Sequence, residues 1–374
     1  VGAELDDLLD LFVSLVEIPS PSGQERAVAD FILAYLRDRG LEPTEDDSGP
    51  LTGSDSGNIT VHVPGEGRGT PLLIAAHMDT VAVDGPITAV VEGGVVRSAG
   101  DTILGADDKA ACTALLALLA DLASSPPPCS LTAVFSTCEE IGLRGAKALD
   151  LAGLDARAGF VLDSAGPVGD VVTRAPSQKM LAADFHGVAA HAGIAPETGR
   201  SAIAAAAAAI AAMKLSRIDE QTTANIGLIS GGSAVNVVPE RCRIDGEVRS
   251  HDPTALAAHT GGLVDAVQLA AGLAGIDVEV SVHDAFVGFA LADDALPVRI
   301  AYAALRDVGI EPRTRARGGG SDVNVYNAAG LPSVNLSQGA EKIHTPDEYL
   351  PVERLGETYR LLHALLRAAA ATTA

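Results

Sequence analysis

Several histidines and carboxylates of this chain fall where an apolar run gives way to a turn. His77-Met78-Asp79 closes the run 72–76. A strand-end imidazole with an Asp two residues on fits a metal ligand whose second ring N–H is held by a carboxylate, which fixes the tautomer and raises ligand basicity. The same pair alone also describes a structural histidine. Gly105-Ala106-Asp107-Asp108-Lys109 puts adjacent acids beside a glycine. They fit a helix N-cap, or a carboxylate that bridges two cations roughly 3.5–4 Å apart. Cys138-Glu139-Glu140 follows the run 131–137 directly. Adjacent acids there are costly unless paired or metal-bound. Their side chains diverge, so one can ligate a cation while the other faces water as a general base; a solvated turn is the bland alternative. Asp163 after 159–162 and His344 in Lys342-Ile343-His344-Thr345-Pro346-Asp347 are ordinary loop residues singly and gain weight only from the set. Histidine and carboxylate donors without thiolate suit zinc, and also cobalt or manganese.

The elements that must position these groups read as α/β. Leu5, Leu8, Leu9, Phe12, Leu15 and Val16 have helical spacing, and Ser22-Gly23-Gln24-Glu25 has the capping-box pattern that opens a second helix to about Arg39. Strand-like runs at 58–63, 72–76, 131–137 and 159–162 alternate with helical stretches such as 108–123, which implies a largely parallel sheet. Ligands of such sheets bind beyond the carboxyl ends of the strands. His77, the Glu139-Glu140 pair and Asp163 each finish a strand, so neighbouring strands would bring them to one crevice. From about 176 the order becomes β-α-β-β-α-β, a split βαβ pattern, with an alanine-rich helix at 200–214 and Asp252-Pro253 opening another. We therefore expect a discontinuous catalytic domain, 1–175 and 286–374, with a mixed, mostly parallel sheet flanked by helices. An α+β ferredoxin-like insert at 176–285 would interrupt it.

A chain of 374 residues with 47% hydrophobic and 20% charged residues fits two folded units. Aromatics are 3% and tryptophan is absent, so Ala, Val, Leu and Ile must build the core. A formal charge of −23 argues against nucleic acid and anionic membranes as partners. Cys112, Cys129, Cys138 and Cys242 form no C-x-x-C pair and read as reduced thiols of a cytoplasmic protein. Cys138 reads as a packed residue, not a nucleophile. The alanine run is too short and too weakly apolar to span a bilayer. No basic segment followed by an apolar one opens the chain, and a leader trimmed before Val1 stays open. His62, His186, His251, His259, His283 and His363 join no constellation.

In chain order, the strings H-M-D-T at His77, L-G-A-D-D-K at Asp107, C-E-E-I-G at Glu139, L-D-S at Asp163, H-A-G at His191, G-G-G-S-D ending at Asp322 and I-H-T-P at His344 resemble one metallopeptidase family. It includes peptidase T, carboxypeptidase G, aminoacylase and succinyl-diaminopimelate desuccinylase; the likeness is greatest to the peptidase T-like branch and runs from about residue 5 to 368. The resemblance implies two divalent ions, zinc foremost: His77 and Asp163 on one, Glu140 and His344 on the other, Asp107 bridging. It also implies Asp79 orienting His77, Glu139 as general base, and a cis link between Asp107 and Asp108. The insert would be a lid and a homodimer surface, with His191 reaching a neighbouring active site and Asn236 and Arg249 at substrate-binding positions. Arg249 could pair bidentately with a carboxylate. The glycines before Ser321 fit either a donor loop near the substrate terminus or a plain turn.

The activity expected from this resemblance is amide hydrolysis in small peptides, foremost by a tripeptidase that removes one N-terminal residue. A carboxypeptidase, an N-acyl-amino-acid deacylase or a desuccinylase would use the same chemistry. A non-catalytic peptide-binding relative is disfavoured because every expected ligand and the base are present.

Overall fold

Leu72–His77 is buried at every position, as a strand covered on both faces must be. It lies between Leu131–Ser136 and Ala158–Ser164, and Ser333–Ser337 continues the sheet beyond the latter. These four strands are parallel, so their carboxyl ends share one edge. Antiparallel strands close the flanks: Ile59–Val63 beside Leu131–Ser136, Thr44–Glu45 beyond it, and Asp170–Ala175 beside Ser333–Ser337. Arg313–Ala316 adds a parallel pairing to Asp170–Ala175. The sheet is thus mixed, with a parallel centre.

The computed structural model describes residues 2–67 and 69–372. These fall into two units: the described residues within Val1–Arg174, Ala290–Ala316 and Ser321–Ala374, and a second unit of Ala175–Phe289 with Arg317–Gly320. In the first, residues of the helices Arg26–Arg37, Ala106–Leu122, Leu296–Asp307 and Val352–Ala371 join the sheet in one hydrophobic core. Ala106–Leu122 is buried almost around its circumference, which its small Ala, Cys and Thr residues permit. Fully buried residues such as Leu73, Ile74 and Phe160 each contribute about 1.5–3 kcal/mol.

In the second unit, Thr222–Gly231, Arg241–Ser250, Ser177–His186 and Asp277–Phe286 lie in that order, all antiparallel, with Ser216–Arg217 outside Thr222–Gly231. In chain order these strands are second, third, first and fourth, the ferredoxin-like arrangement. Ser177–His186 alternates buried with partly buried residues, and Ala202, Ala205, Ala206 and Ala209 of one helix pack with Ala183, Phe185, Cys242 and Ile244. The helix Pro253–Ala274 starts where expected, with the Asp252 side chain accepting the N–H groups of Thr254 and Ala255.

One expectation is corrected and one element is new. Ser22 and Glu25 do not cap the second helix: it begins at Arg26 without a side-chain cap, and both residues turn to other work described below. The hairpin Ala89–Glu92/Val95–Ser98, joined to Tyr349–Pro351 in a small antiparallel sheet, was not anticipated from the sequence.

Candidate metal centre

The parallel strands deliver their ends to one place. His77, the last residue of its strand, is 2% exposed, and its Nε2 lies 3.6 Å from Asp107 Oδ1 and 3.9 Å from Asp163 Oδ1. The other oxygen of Asp107, Oδ2, lies 3.1 Å from His344 Nε2, which is 2.8 Å from Glu140 Oε1. One carboxylate therefore stands between two His-plus-acid pairs, an oxygen toward each. His77 Nδ1 donates to the backbone carbonyl of Asp79 at 2.9 Å, which leaves Nε2 as the free lone pair.

The donor set fits cations on an observation independent of resemblance. His77 Nε2 and Asp107 Oδ1 are buried atoms without a hydrogen-bond partner, and Glu140 Oε1 lies close to His344 Nε2 without the angle of a hydrogen bond. Buried polar atoms are rarely left so, and each needs an explanation. One ligand atom each from His77, Asp107 and Glu140 lies within 4.8 Å of the others, and the same holds for His77, Glu139 and Asp163. Orphaned imidazole and carboxylate atoms facing one space are what a divalent ion satisfies.

Asp79 acts differently from expectation. Its carboxylate stands 3.6 Å from His77 Nδ1, too far for a hydrogen bond, so the backbone carbonyl orients the ring instead. The carboxylate accepts the N–H of Glu139 at 2.9 Å, the N–H of Glu140 at 3.2 Å and the hydroxyl of Ser22 at 2.6 Å. It thereby sets the backbone that carries both acids. Glu25 braces the same turn, accepting the N–H groups of Gly23 and Cys138 at 3.0 Å each and the Ser54 hydroxyl at 2.6 Å. Cys138 needs this support because its φ is +51°, in the left-handed region. Asn335 clamps Asp163, accepting its N–H at 3.0 Å and donating to its carbonyl at 2.6 Å. Asp108 accepts the N–H of His77 at 3.1 Å, and the Asp107–Asp108 peptide is cis. Lys109 is fully buried and donates to the carbonyl of Ile18 at 2.5 Å; burial brings its pKa down to about 8.

The electrostatics follow from burial of so many acids together. Burial, then the charge of Asp163, pushes the Glu139 carboxyl well above its usual range, so it binds a proton readily. Burial and the Asp107 charge do the same to Asp163. Burial resists ionisation of Asp107 too, but the adjoining imidazoles of His344 and His77 outweigh it and hold its pKa low. His344, beside Asp107 and Glu140, is raised to about 10. Asp322 accepts the Ser136 hydroxyl at 2.5 Å and is raised by burial to about 6.

Sequence reasoning missed Ser22, Glu25, Asn335 and Glu348 as supports. Serine and glutamate three apart before a helix read equally well as a cap, and an Asn inside a strand carries no periodic signal. The three substrate-binding candidates lie in the second unit. His191 and Asn236 are exposed neighbours: His191 pairs with Val237 across a two-residue ladder, and Ala192 N–H donates to the Asn236 carbonyl at 2.9 Å. Arg249 is engaged by Glu247 through Nε and Nη2 at 3.1 and 3.0 Å, and donates to the Gly318 carbonyl at 3.3 Å. Gly320 is compelled to be glycine, since a Cβ there would meet the Phe286 ring at 2.4 Å.

Comparison with known proteins bears on this arrangement. The sequence profile of peptidase family M20/M25/M40 matches residues 73–368. The uncharacterized protein YqjE of Bacillus subtilis is 38% identical over 364 residues, covering 97% of this chain and 98% of its own. The crystal structure of a tripeptidase from Staphylococcus aureus is 35% identical, covers 98% of this chain and 99% of its own, and superposes with a TM-score of 0.91. That of an aminopeptidase PepT from Bacillus cereus is 37% identical, with coverages of 98% and 99% and a TM-score of 0.85.

Proposed function

The chain belongs to peptidase family M20/M25/M40, and from that premise we propose that it is a two-cation exopeptidase that removes the N-terminal residue from tripeptide-sized substrates. The observation that carries the reading is Asp107, with one oxygen toward His77 and the other toward His344. In this proposal His77 and Asp163 hold one cation, Glu140 and His344 the other, and Asp107 bridges. Zinc is the proposed metal, since two imidazoles and three carboxylates without thiolate suit it; cobalt and manganese suit the same donors. The pair would supply Lewis acidity toward the scissile carbonyl and lower the pKa of water.

Glu139 does the proton work. As a carboxylate beside the cation pair it would take a proton from the attacking water and release it to the departing amine. Asp79 fixes where that carboxyl stands by holding the Glu139 N–H. We assign catalysis to the discontinuous domain and a lid role to the insert. There, exposed His191 and Asn236 are the proposed substrate contacts, and Arg249 could take a carboxylate only by exchanging Glu247. The tripeptidase assignment is supported by the names of the Staphylococcus aureus and Bacillus cereus relatives. Four buried free thiols support a cytoplasmic setting, and exposed Leu228 and Ile229 on Thr222–Gly231 support a homodimer through the insert.

The test is Glu139→Gln, assayed on a tripeptide, a dipeptide and an N-acetyl amino acid with zinc, cobalt or manganese present. The variant is expected to keep its metal content and lose at least about a hundredfold in kcat on the tripeptide. Near-normal turnover would remove Glu139 from the role. Preference of the wild type for the acylated amino acid would favour the deacylase reading.

A further inference from the structure

Glu348 is 1% exposed, and no cation lies within hydrogen-bonding reach of its carboxylate among the described residues. A buried carboxylate is costly unless its oxygens are satisfied. Here backbone amides satisfy them. Oε2 accepts the N–H of Leu104 at 2.9 Å and of Gly105 at 2.8 Å, and Oε1 accepts the N–H of Asp107 at 3.1 Å. The segment that presents Asp107 is thus wrapped around a side chain 241 residues away in sequence.

The other end of Glu348 belongs to the loop that carries His344. That loop is closed at its neck by reciprocal backbone bonds between Glu341 and Tyr349, at 3.0 and 3.1 Å, and within it the Glu348 N–H donates to the Thr345 carbonyl at 3.0 Å. Tyr349–Pro351 then enters the small sheet with Val95–Ser98. His344 itself is 45% exposed and has φ +62°, so packing does little to fix it. Glu348 couples its loop to the Asp107 segment by hydrogen bonds, beside the packing of Ile343 against the cluster that holds Leu104 and Ala106.

We propose that Glu348 is a positioning residue that sets the spacing between His344 and Asp107, and so governs the second cation selectively. The inference rests on the two-cation reading above. The His77 side shares only Asp107 with this staple: His77 is held by its strand, Asp163 by Asn335. Neutralising Glu348 to glutamine breaks the arrangement, because one of its two faces becomes an NH2 group turned toward backbone N–H donors. Loss of comparable supports costs about 10–100-fold in metal affinity.

The experiment titrates metal-free wild type, Glu348→Gln, His344→Ala and the double variant with Mn2+, reading stoichiometry and affinity by calorimetry, with circular dichroism as the folding control. The wild type is expected to take two ions. Glu348→Gln should retain the first with the smaller loss of affinity, since only Asp107 is shared, and weaken the second by about 10–100-fold. The Glu348 effect should vanish in the His344→Ala background, since coupled residues are not additive. Equal weakening of both ions, or an undiminished Glu348 effect without His344, would overturn the positioning role and leave the two-cation reading standing. Fewer than two ions in the wild type would overturn that reading and this inference with it. If Glu348→Gln fails to fold, Glu348→Asp, which keeps the charge and loses the reach, is expected to give the same selective loss; unchanged binding of both ions would refute the proposal.

Discussion

The two halves of the proposed metal centre are built in opposite ways. The His77 half is sheet architecture: the histidine ends a strand buried at every position, its partner Asp163 lies in the adjacent parallel strand, and the ring is locked by a backbone carbonyl. The His344 half is loop architecture: its histidine is 45% exposed in the left-handed region and depends on hydrogen bonds from outside its own element. Asp107 joins them. The difference teaches that one cation position comes with the core, whereas the other is assembled by tethering. Alterations in the first half should therefore cost stability as well as binding, and alterations in the second should cost binding with little loss of stability.

The largest effect is expected where the halves share a ligand. Asp107→Ala should abolish binding of the cation pair and reduce kcat/KM by more than the roughly hundredfold that losing an outer support costs. Two ions measured on that variant by elemental analysis would dissolve the joint between the halves. Next comes the asymmetry itself. His77→Ala leaves the Asp79 carbonyl and several buried acids without their partner, so the metal-free protein should lose about 1–3 kcal/mol in chemical denaturation. His344→Ala removes a half-exposed imidazole from two buried acids and is expected to cost less than His77→Ala. Equal destabilisation by the two would break the comparison.

A pH effect of intermediate size sharpens it. Asp108, Glu139 and Asp163 are raised well above the usual carboxyl range by burial, Asp322 to about 6 and Glu348 to about 7. A carboxyl raised in the folded state contributes stability that is complete below its unfolded value of about 4 and is lost as pH climbs through the folded value. Without cations, melting temperature should therefore fall as pH rises from about 4.5 toward 8, steeply through the range set by Asp322 and Glu348. Asp79 and Asp107 are shifted down and act in reverse, their stabilisation being lost below about pH 4. Divalent cations added at the upper end should restore the lost stability, because they bind only the folded form. A metal-free protein whose melting temperature rises over this interval would contradict the account of the acids around His77.

How legible this was in the sequence also divides along the same line. Apolar runs at 72–76, 131–137 and 159–162 stop at His77, the Glu139-Glu140 pair and Asp163, and their alternation with helices put those residues at the carboxyl ends of parallel strands. Parallel pairing then brought them together. His344 carried no local signal, since its loop has neither period nor cap, and only the order of motifs singled it out. The supports were harder still. Ser22 and Glu25 mimic a capping box, yet they serve Asp79 and Cys138, because a buried carboxylate and a positive-φ turn have the greater need for partners. The hairpin 89–98 turns on Gly93-Gly94, both at positive φ, which is a recognisable two-residue signal between the short runs Ala89–Glu92 and Val95–Ser98. What no local pattern could show is that the strand after that turn would anchor the His344 loop, 250 residues later, through Tyr349↔Arg97 and Leu350↔Val96.

The smallest expected effect discriminates the two halves by sign. Glycine and alanine variants at either histidine remove the imidazole alike, so their difference in metal-free stability reports backbone conformation alone. At position 344 φ is +62°, where a Cβ costs about 1 kcal/mol or more and glycine costs little. His344→Gly should therefore be more stable than His344→Ala by about 1 kcal/mol. At position 77 the backbone is a buried strand, where glycine is worse than alanine by about 0.5–1 kcal/mol. His77→Gly should be the less stable of its pair. Denaturant midpoints of the four metal-free variants decide the matter. Two differences of the same sign would mean that the loop and the strand hold the backbone of their histidines in the same way.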